Sequence, residues 1–393
     1  MTVDALYKKI VLNQLQLING NAIDSLIVGG KNIAGINRNL AFVDKNVLRL
    51  HFDGAIIIPG LINSHDHLDF DLFPRLGNRV YKDYLEWGND IHTTNKKVIQ
   101  NVLKVPKELR VQCGIYKNLL AGVTTVVHHG NKILLHEELI NVHQQNNVLH
   151  SVQLEKYFKL KLNNPVAKPL PFVIHIGEGK NQKSHDEINK LIKWNLFKRE
   201  LIGIHGIAMT EEQAKFFKAL IWCPDSNLFL QHKTAAIDKL KNYTTILFGT
   251  DSTVSADWNI WNQLRLARST NLLNDYELYN TISENARSIW NLNSGILKEG
   301  SDADVVIARQ KSFSNYDAFF ALNPEDILMV MCKGKILMFD ESMLNKFSKD
   351  EVSKSFKKIF INNNCKYLIG DLPALINKVK QYNPEINFPV DIE

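Results

Sequence analysis

The sequence is short of cysteine, of long apolar runs and of clustered charge, and each shortage removes a class of function. Its four cysteines, Cys113, Cys223, Cys332 and Cys365, are widely spaced and form no CxxC pair, which argues against a disulfide framework or a structural zinc knuckle. No apolar run reaches the roughly 18 residues of a membrane span. Residues Met1 to Lys9 lead into a strand-like mixture instead of an apolar export segment, so no membrane partner and cytoplasmic residence are expected. The 47 Lys and Arg against 41 Asp and Glu leave a formal charge of +6, spread along the chain. Without a basic stripe and interleaved aromatics, no nucleic-acid partner is expected. Internal repeats are absent, and Lys- and Asn-rich stretches such as Ile359 to Lys366 read as solvated surface.

What is present is a chain of 393 residues with 45% hydrophobic content, enough for one large folded unit with a smaller companion. From Ile10 to Ile58, short apolar runs (Val11 to Leu17, Ser25 to Val28, Val47 to Leu50, Ala55 to Ile58) alternate with Gly and Asn turns and predict short antiparallel strands. After Pro59, strand-length runs alternate with helix-like stretches, the pattern of βα units around a parallel sheet. The predicted strands are Leu61 to Ser64, Val123 to Val127, Val148 to Leu154, Phe172 to Ile174, Leu201 to Ile204, Ala219 to Trp222 and Thr245 to Phe248. The predicted helices are Val105 to Ala121, Ile133 to Gln144, His185 to Lys198, Thr210 to Lys218 and Trp258 to Ser269, with Thr210 as a cap before two acidic residues. Seven strands are clear; an eighth is sought between Glu155 and Pro169, where only the weak run Phe158 to Leu162 offers itself.

The expected fold is therefore α/β: a (β/α)8 TIM-like barrel with a degenerate fourth unit, plus a small β domain built from both ends of the chain. Residues 1–58 with 296–345 form that small domain, 59–295 the barrel, and 346–393 a C-terminal extension without an assigned role. Ala303 to Ala308 and a hairpin of Ile327 to Met331 with Ile336 to Phe339 supply the second half of the small domain.

The chemistry gathers at the carboxyl ends of the predicted strands, where a β/α barrel keeps its reactive groups. His65 and His67 follow the first strand two residues apart, a spacing that aims both the same way. His175 ends Phe172 to Ile174 with Glu178 three residues on; His205 ends Leu201 to Ile204; Asp251 follows Thr245 to Phe248. Imidazole and carboxylate ligands suit one divalent metal, zinc first and ferrous iron as the open alternative, on His65, His67, His175 and Asp251. Such an ion would activate water near neutral pH. Glu178 is the candidate to protonate a ring nitrogen, and His205 to hold a carbonyl oxygen or the attacking water. Phe73, Trp87 and His129 are candidates for the pocket wall around a flat substrate.

The ordered set resembles the amidohydrolase superfamily, in particular its single-metal aminohydrolases: cytosine, guanine and adenosine-type deaminases and chlorotriazine hydrolases. Pro59-Gly60-Leu61-Ile62-Asn63-Ser64-His65-Asp66-His67 resembles that family's opening strand, and His175-Ile176-Gly177-Glu178 its HxxE element. Gly122-Val123-Thr124-Thr125 resembles its second-strand entry, and Cys223-Pro224-Asp225-Ser226-Asn227 its Pro-x-Ser-Asn element, which brings Asn227 in as a substrate contact. The resemblance covers residues 10 to 340. It implies a catalytic set of Glu178, His205 and Asp251, with Asp251 both touching the metal and shuttling protons. It also implies hydrolytic deamination of a small heterocyclic or amidine substrate, or cyclic-amide hydrolysis by the same site, and a homodimer. Lys168 stands only seven residues before His175, too near for a bridging lysine one strand earlier, so one metal is expected. Leu68-Asp69-Phe70-Asp71 and His128-His129-Gly130-Asn131 depart from the family pattern where they would border the pocket.

Overall fold

A computed structural model describes residues 7–37, 46–134, 139–311 and 315–392, apart from the side chain of Glu351. Two architectures share the chain. The first is the barrel: Leu61–Asp66, Val123–His128, Asn141–His143, Asn147–Ser151, Phe172–Ile176, Leu201–His205, Ala219–Trp222 and Thr245–Phe248, each hydrogen-bonded neighbour pair running parallel. At the mouth, the Asp251 N–H donates to the His65 carbonyl at 3.1 Å, joining the last strand's end to the first's. Side chains alternate along these strands as the pleat requires. Val173, Ile202, Ile204, Ile221 and Leu247 fill the barrel interior beside Trp290. Their neighbours Ile174, Leu220 and Phe248 pack outward into the layer formed with the helices.

Gly249 is dictated by the closeness of this packing. A Cβ there would stand 2.6 Å from the Cβ of His65 and 2.8 Å from Ile221, so the last strand reaches the mouth only because this residue has no side chain.

The irregular unit is the third, not the fourth. Asn141–His143 and Asn147–Ser151 are joined by three residues with no helix between them, while Phe158–Leu162, read above as a weak strand, is helical. The helix expected over Ile133 to Gln144 is absent from its described part; residues 135–138 lie outside the described residues. Gln144 explains part of this, because its side-chain amide binds both backbone groups of Ile133 (2.7 and 3.1 Å) and holds the segment folded back on itself. Elsewhere the expected helices form as Lys107–Leu120, Gln182–Trp194, Glu211–Ala214 and Ile260–Ser269. Thr210 caps the third of these in a reciprocal box with Gln213. Tyr84–Thr94 and Lys96–Leu103 are two further helices.

The second architecture is a nine-stranded sheet in the order Phe356–Ile361, Asn364–Ile369, Lys335–Asp340, Ile327–Cys332, Val305–Arg309, Val47–Pro59, Lys9–Gln16, Ala22–Gly29, Asn32–Ile36. The two ends of the chain meet where Val305–Arg309 pairs antiparallel with Pro59 back to Ala55. The amino-terminal strands are not all antiparallel as expected, since Lys9–Gln16 runs parallel to Val47–Pro59. The sheet also takes in residues left above as a tail. Ile359 to Lys366, read as solvated surface, is exposed only at Asn362 and Asn363: Ile359 and Ile361 are buried, and the Lys366 ammonium donates to Asp340 Oδ2 (2.7 Å) and to the carbonyls of Glu325 and Ile327. A buried ammonium needs such partners. Among the described residues, no helix is long and apolar enough to cross a membrane.

Candidate active site

Three imidazoles meet at the barrel mouth. The ligand nitrogens of His65, His67 and His175 lie within 4.8 Å of one another, and His67 Nε2 faces His175 Nε2 at 3.2 Å. Two tetrahedral ligands at ~2.0–2.1 Å from one zinc ion would stand about 3.3 Å apart, so this spacing suits a shared ion. His175 Nδ1 donates to the His150 carbonyl at 2.8 Å, which leaves Nε2 with its lone pair toward the cluster. Both ring nitrogens of His65 are buried without a hydrogen-bond partner. Burial first, helped by the neighbouring His67 and His205, outweighs Asp251 and pulls its pKa down to about 4, so it is a neutral imidazole with a lone pair to give. The three histidines are thus a cluster able to hold a divalent metal.

Asp251 completes the ring of donors. Its Oδ1 stands 3.7 Å from His65 Nε2 and 3.8 Å from His67 Nε2. The Ser252 N–H donates to Oδ1 and the Ser255 hydroxyl to Oδ2, both at 2.9 Å. Burial pushes this carboxyl up, but the surrounding imidazoles outweigh it and hold Asp251 well below the usual carboxylate range. Asp251 and His205 both adopt left-handed backbone (φ +56° and +71°) at the strand ends, a conformation that costs a non-glycine residue ~1–3 kcal/mol and recurs at functional sites.

Glu178 is shifted the other way. Burial first, and then the charges of Asp251, Glu187 and Asp83, push its carboxyl well above the usual range, which favours its protonated form. Its Oε2 lies 3.6 Å from His205 Nε2. The turn bearing Glu178 is held from outside the site: Glu187 Oε1 accepts the Gly177 N–H at 2.8 Å.

Two residues singled out from the sequence take other places. Asn227 is buried, and its Oδ1 accepts from His205 Nδ1 at 2.8 Å, so it orients that ring and does not line the cavity. His129 is not in the cavity wall either. It lies buried among the ligands, its ring 4.5 Å from that of His175 and 5.3 Å from that of His65. Trp87 does line the cavity, as does Phe73. The cavity holds about 380 Å3, with the imidazoles of His67, His175 and His205, Glu178 and Asp251 among its lining. Unforeseen was a buried charge network behind the ligands: Lys117 Nζ donates at 2.8 Å to both Asp66 Oδ2 and Asp71 Oδ1. Burial opposes the Lys117 charge, yet the two carboxylates win and raise its pKa to about 12. Asn63 donates to Asp66 at 3.1 Å and to Thr250 at 2.7 Å, tying the first strand to the loop of Asp251.

Comparison with known proteins agrees with this geometry. The model of the amidohydrolase family matches residues 167–337, a span that holds His175, Glu178, His205 and Asp251. Among its relatives, a 5'-deoxyadenosine deaminase from Methanosphaera stadtmanae is 21% identical, over 84% of this chain and 92% of its own. A zinc-bound adenosine deaminase from Xanthomonas campestris shares the fold with a TM-score of 0.68 at 14% identity, covering 96% of this chain and 97% of that one. A zinc-complexed atrazine chlorohydrolase from Arthrobacter aurescens gives 0.69 at 14%, covering 95% and 99%.

Glu187 offers a test of how the site is held. Burial raises its carboxyl from an ordinary value near 4.5 to about 7. The folded state therefore binds this proton more tightly than the unfolded one, and stability from this source is full below pH 4.5 and lost as pH rises to 7. Glu187→Gln keeps an acceptor for Gly177 and removes the titration, so its thermal midpoint should fall less between pH 4.5 and 7.5, by the equivalent of about 3 kcal/mol. Equal slopes for both proteins would assign the pH response elsewhere.

Proposed function

We propose that the chain hydrolyses a carbon–nitrogen bond of a small heteroaromatic amine and releases ammonia, as a cytoplasmic enzyme whose barrel spans residues 59–295. One observation carries this reading: Glu178, its carboxyl pushed up, and Asp251, its carboxyl held down, face one cavity beside a cluster of three imidazoles, two of which line it. Hydrolysis at an amidine-like ring carbon needs that division, an acid for the ring nitrogen and a base for the water. The deaminases among the relatives support the same choice of leaving group.

A divalent ion on His65, His67, His175 and Asp251 would supply an activated water near neutral pH. Glu178 gives its proton to the ring nitrogen as the carbon–oxygen bond forms and the C=N π pair moves to nitrogen. Asp251 takes a proton from the water and passes it to the exocyclic amine. When the carbon–nitrogen bond breaks, ammonia leaves with that proton and the hydroxyl proton restores Glu178. His205, fixed by Asn227 with Nδ1 as donor, presents Nε2 as an acceptor and so orients the water.

The test is ammonia release over purines, pyrimidines, pterins and guanidino compounds, with metal analysis of the same sample. Release from at least one heteroaromatic amine, in proportion to bound metal, is expected. Ring opening of a cyclic amide without ammonia from any amine would replace this reading.

A further inference from the structure

The cavity above the candidate metal centre is walled mainly by side chains that have no part in the proposed chemistry. Phe70 and Phe73 reach it from the turn after the first strand, Trp87 and Ile91 from Tyr84–Thr94, and Ile99 and Leu103 from Lys96–Leu103. Leu76, Leu154 and Val254 close the remaining sides. Polar atoms in this wall are already committed. Trp87 Nε1 donates to the Leu76 carbonyl at 2.8 Å, and the Tyr84 hydroxyl donates to Ser151 Oγ at 3.1 Å. Among the described residues, no Lys, Arg, Asn or Gln lines the cavity, and its carboxyl groups are Glu178 and Asp251 alone. What is left for a ligand is the buried, unpartnered Ser252 hydroxyl and the exposed imidazoles of His92 and His150.

A ribose brings several hydroxyls, and a phosphate or carboxylate brings charge. Buried against this wall, each such group surrenders water, and away from Ser252, His92 and His150 the aromatic and aliphatic side chains offer it no replacement partner. An alkyl or thioalkyl group gains from the same wall, where one methylene is worth roughly 10- to 200-fold in discrimination. The volume, about 380 Å3, sits near the lower end of small-molecule pockets and limits the substituent to a compact one. Resting on the deaminase reading, we propose that the substrate is a flat heteroaromatic amine whose substituent is compact, apolar and uncharged. The aromatic and aliphatic wall selects against ribosyl and anionic groups.

Binding tests this without turnover. Calorimetry on the metal-loaded protein would compare 9-propylpurine, purine riboside and purine riboside 5'-phosphate, none of which has an amine to lose. The propyl compound should bind at least about tenfold tighter than the riboside, with no measurable binding of the phosphate. A riboside or phosphate that binds as tightly as the propyl compound, or the failure of all three to bind, would overturn the inference. Failure of the deaminase reading shows separately, in the ammonia screen. Leu103 and Leu154 stand at the rim, 49% and 57% exposed, where a charged residue is tolerated by the fold. Leu103→Arg and Leu154→Arg should bring the phosphate to measurable affinity; unchanged ligand preference in both would remove the wall as the selecting element.

Discussion

His65→Ala and His175→Ala are expected to lose most bound metal and to fall below about a thousandth of wild-type turnover, the scale of several kcal/mol that a catalytic ion contributes. The two should fail for different reasons. His65 is nearly solvent-free and its ring nitrogens have no hydrogen-bond partner, so its removal deletes a donor and leaves a buried void among the other imidazoles and Asp251. His175 is already oriented by the His150 carbonyl, so its removal wastes a prepared ligand and exposes His67 Nε2 to a lone cavity. His51→Ala, on an exposed position of Val47–Pro59 in the nine-stranded sheet, should keep both metal and turnover. Elemental analysis with activity on the same samples decides it. Full metal occupancy and wild-type turnover in either ligand variant would remove the site.

The metal cluster was legible because its residues sit at strand ends, and strand ends in a parallel barrel are marked by short apolar runs followed by polar residues. Phe172–Ile176 and Leu201–His205 are such runs, buried along their whole length, and the polar residues at their carboxyl ends were visible as His175 and His205. Asn141–His143 was not legible, since three residues carry no periodicity and the apolar spacing from Ile133 to Ile140 fits a helix equally well. Its strand exists because its backbone pairs with Val123–His128, a long-range bond that no local pattern announces.

The cavity wall was hidden for a related reason. Phe70, Trp87, Ile99 and Val254 come from four segments, and only their convergence makes an apolar surface. Lys117 lies 51 residues from Asp66 and 46 from Asp71, so the buried charge network could not be inferred from spacing. Asn227 was visible as part of a motif, but the motif does not say which way its amide points; in the fold the oxygen is spent on His205. The tail misled by composition. Its lysines and asparagines are surface residues on average, yet Lys366 sits fully enclosed because Asp340 and two carbonyls meet its three N–H groups.

Glu178→Gln should retain metal and lower turnover by roughly 10²- to 10⁴-fold, the share that positioned proton transfer contributes. The amide preserves size and fills the same position near His205, but it cannot give a proton to the ring nitrogen. Because burial and neighbouring carboxylates push the wild-type carboxyl well above the usual range, wild-type turnover should fall as pH rises past its raised pKa. That alkaline limb should disappear in Glu178→Gln. Asp251→Asn is expected to cost at least as much turnover and also to weaken metal retention, since the carboxylate is assigned both as a donor to the ion and as the base. Its charge is what the imidazoles stabilise, and the amide offers only a neutral oxygen to the same hydrogen bonds from Ser252 and Ser255. Bound metal, turnover and the pH profile of both variants, taken with the substrate that the ammonia screen supplies, separate the two roles. Near-wild-type turnover of Glu178→Gln across pH would leave the ring nitrogen without its acid and withdraw the mechanism. Metal loss in Glu178→Gln with full retention in Asp251→Asn would exchange the two assignments.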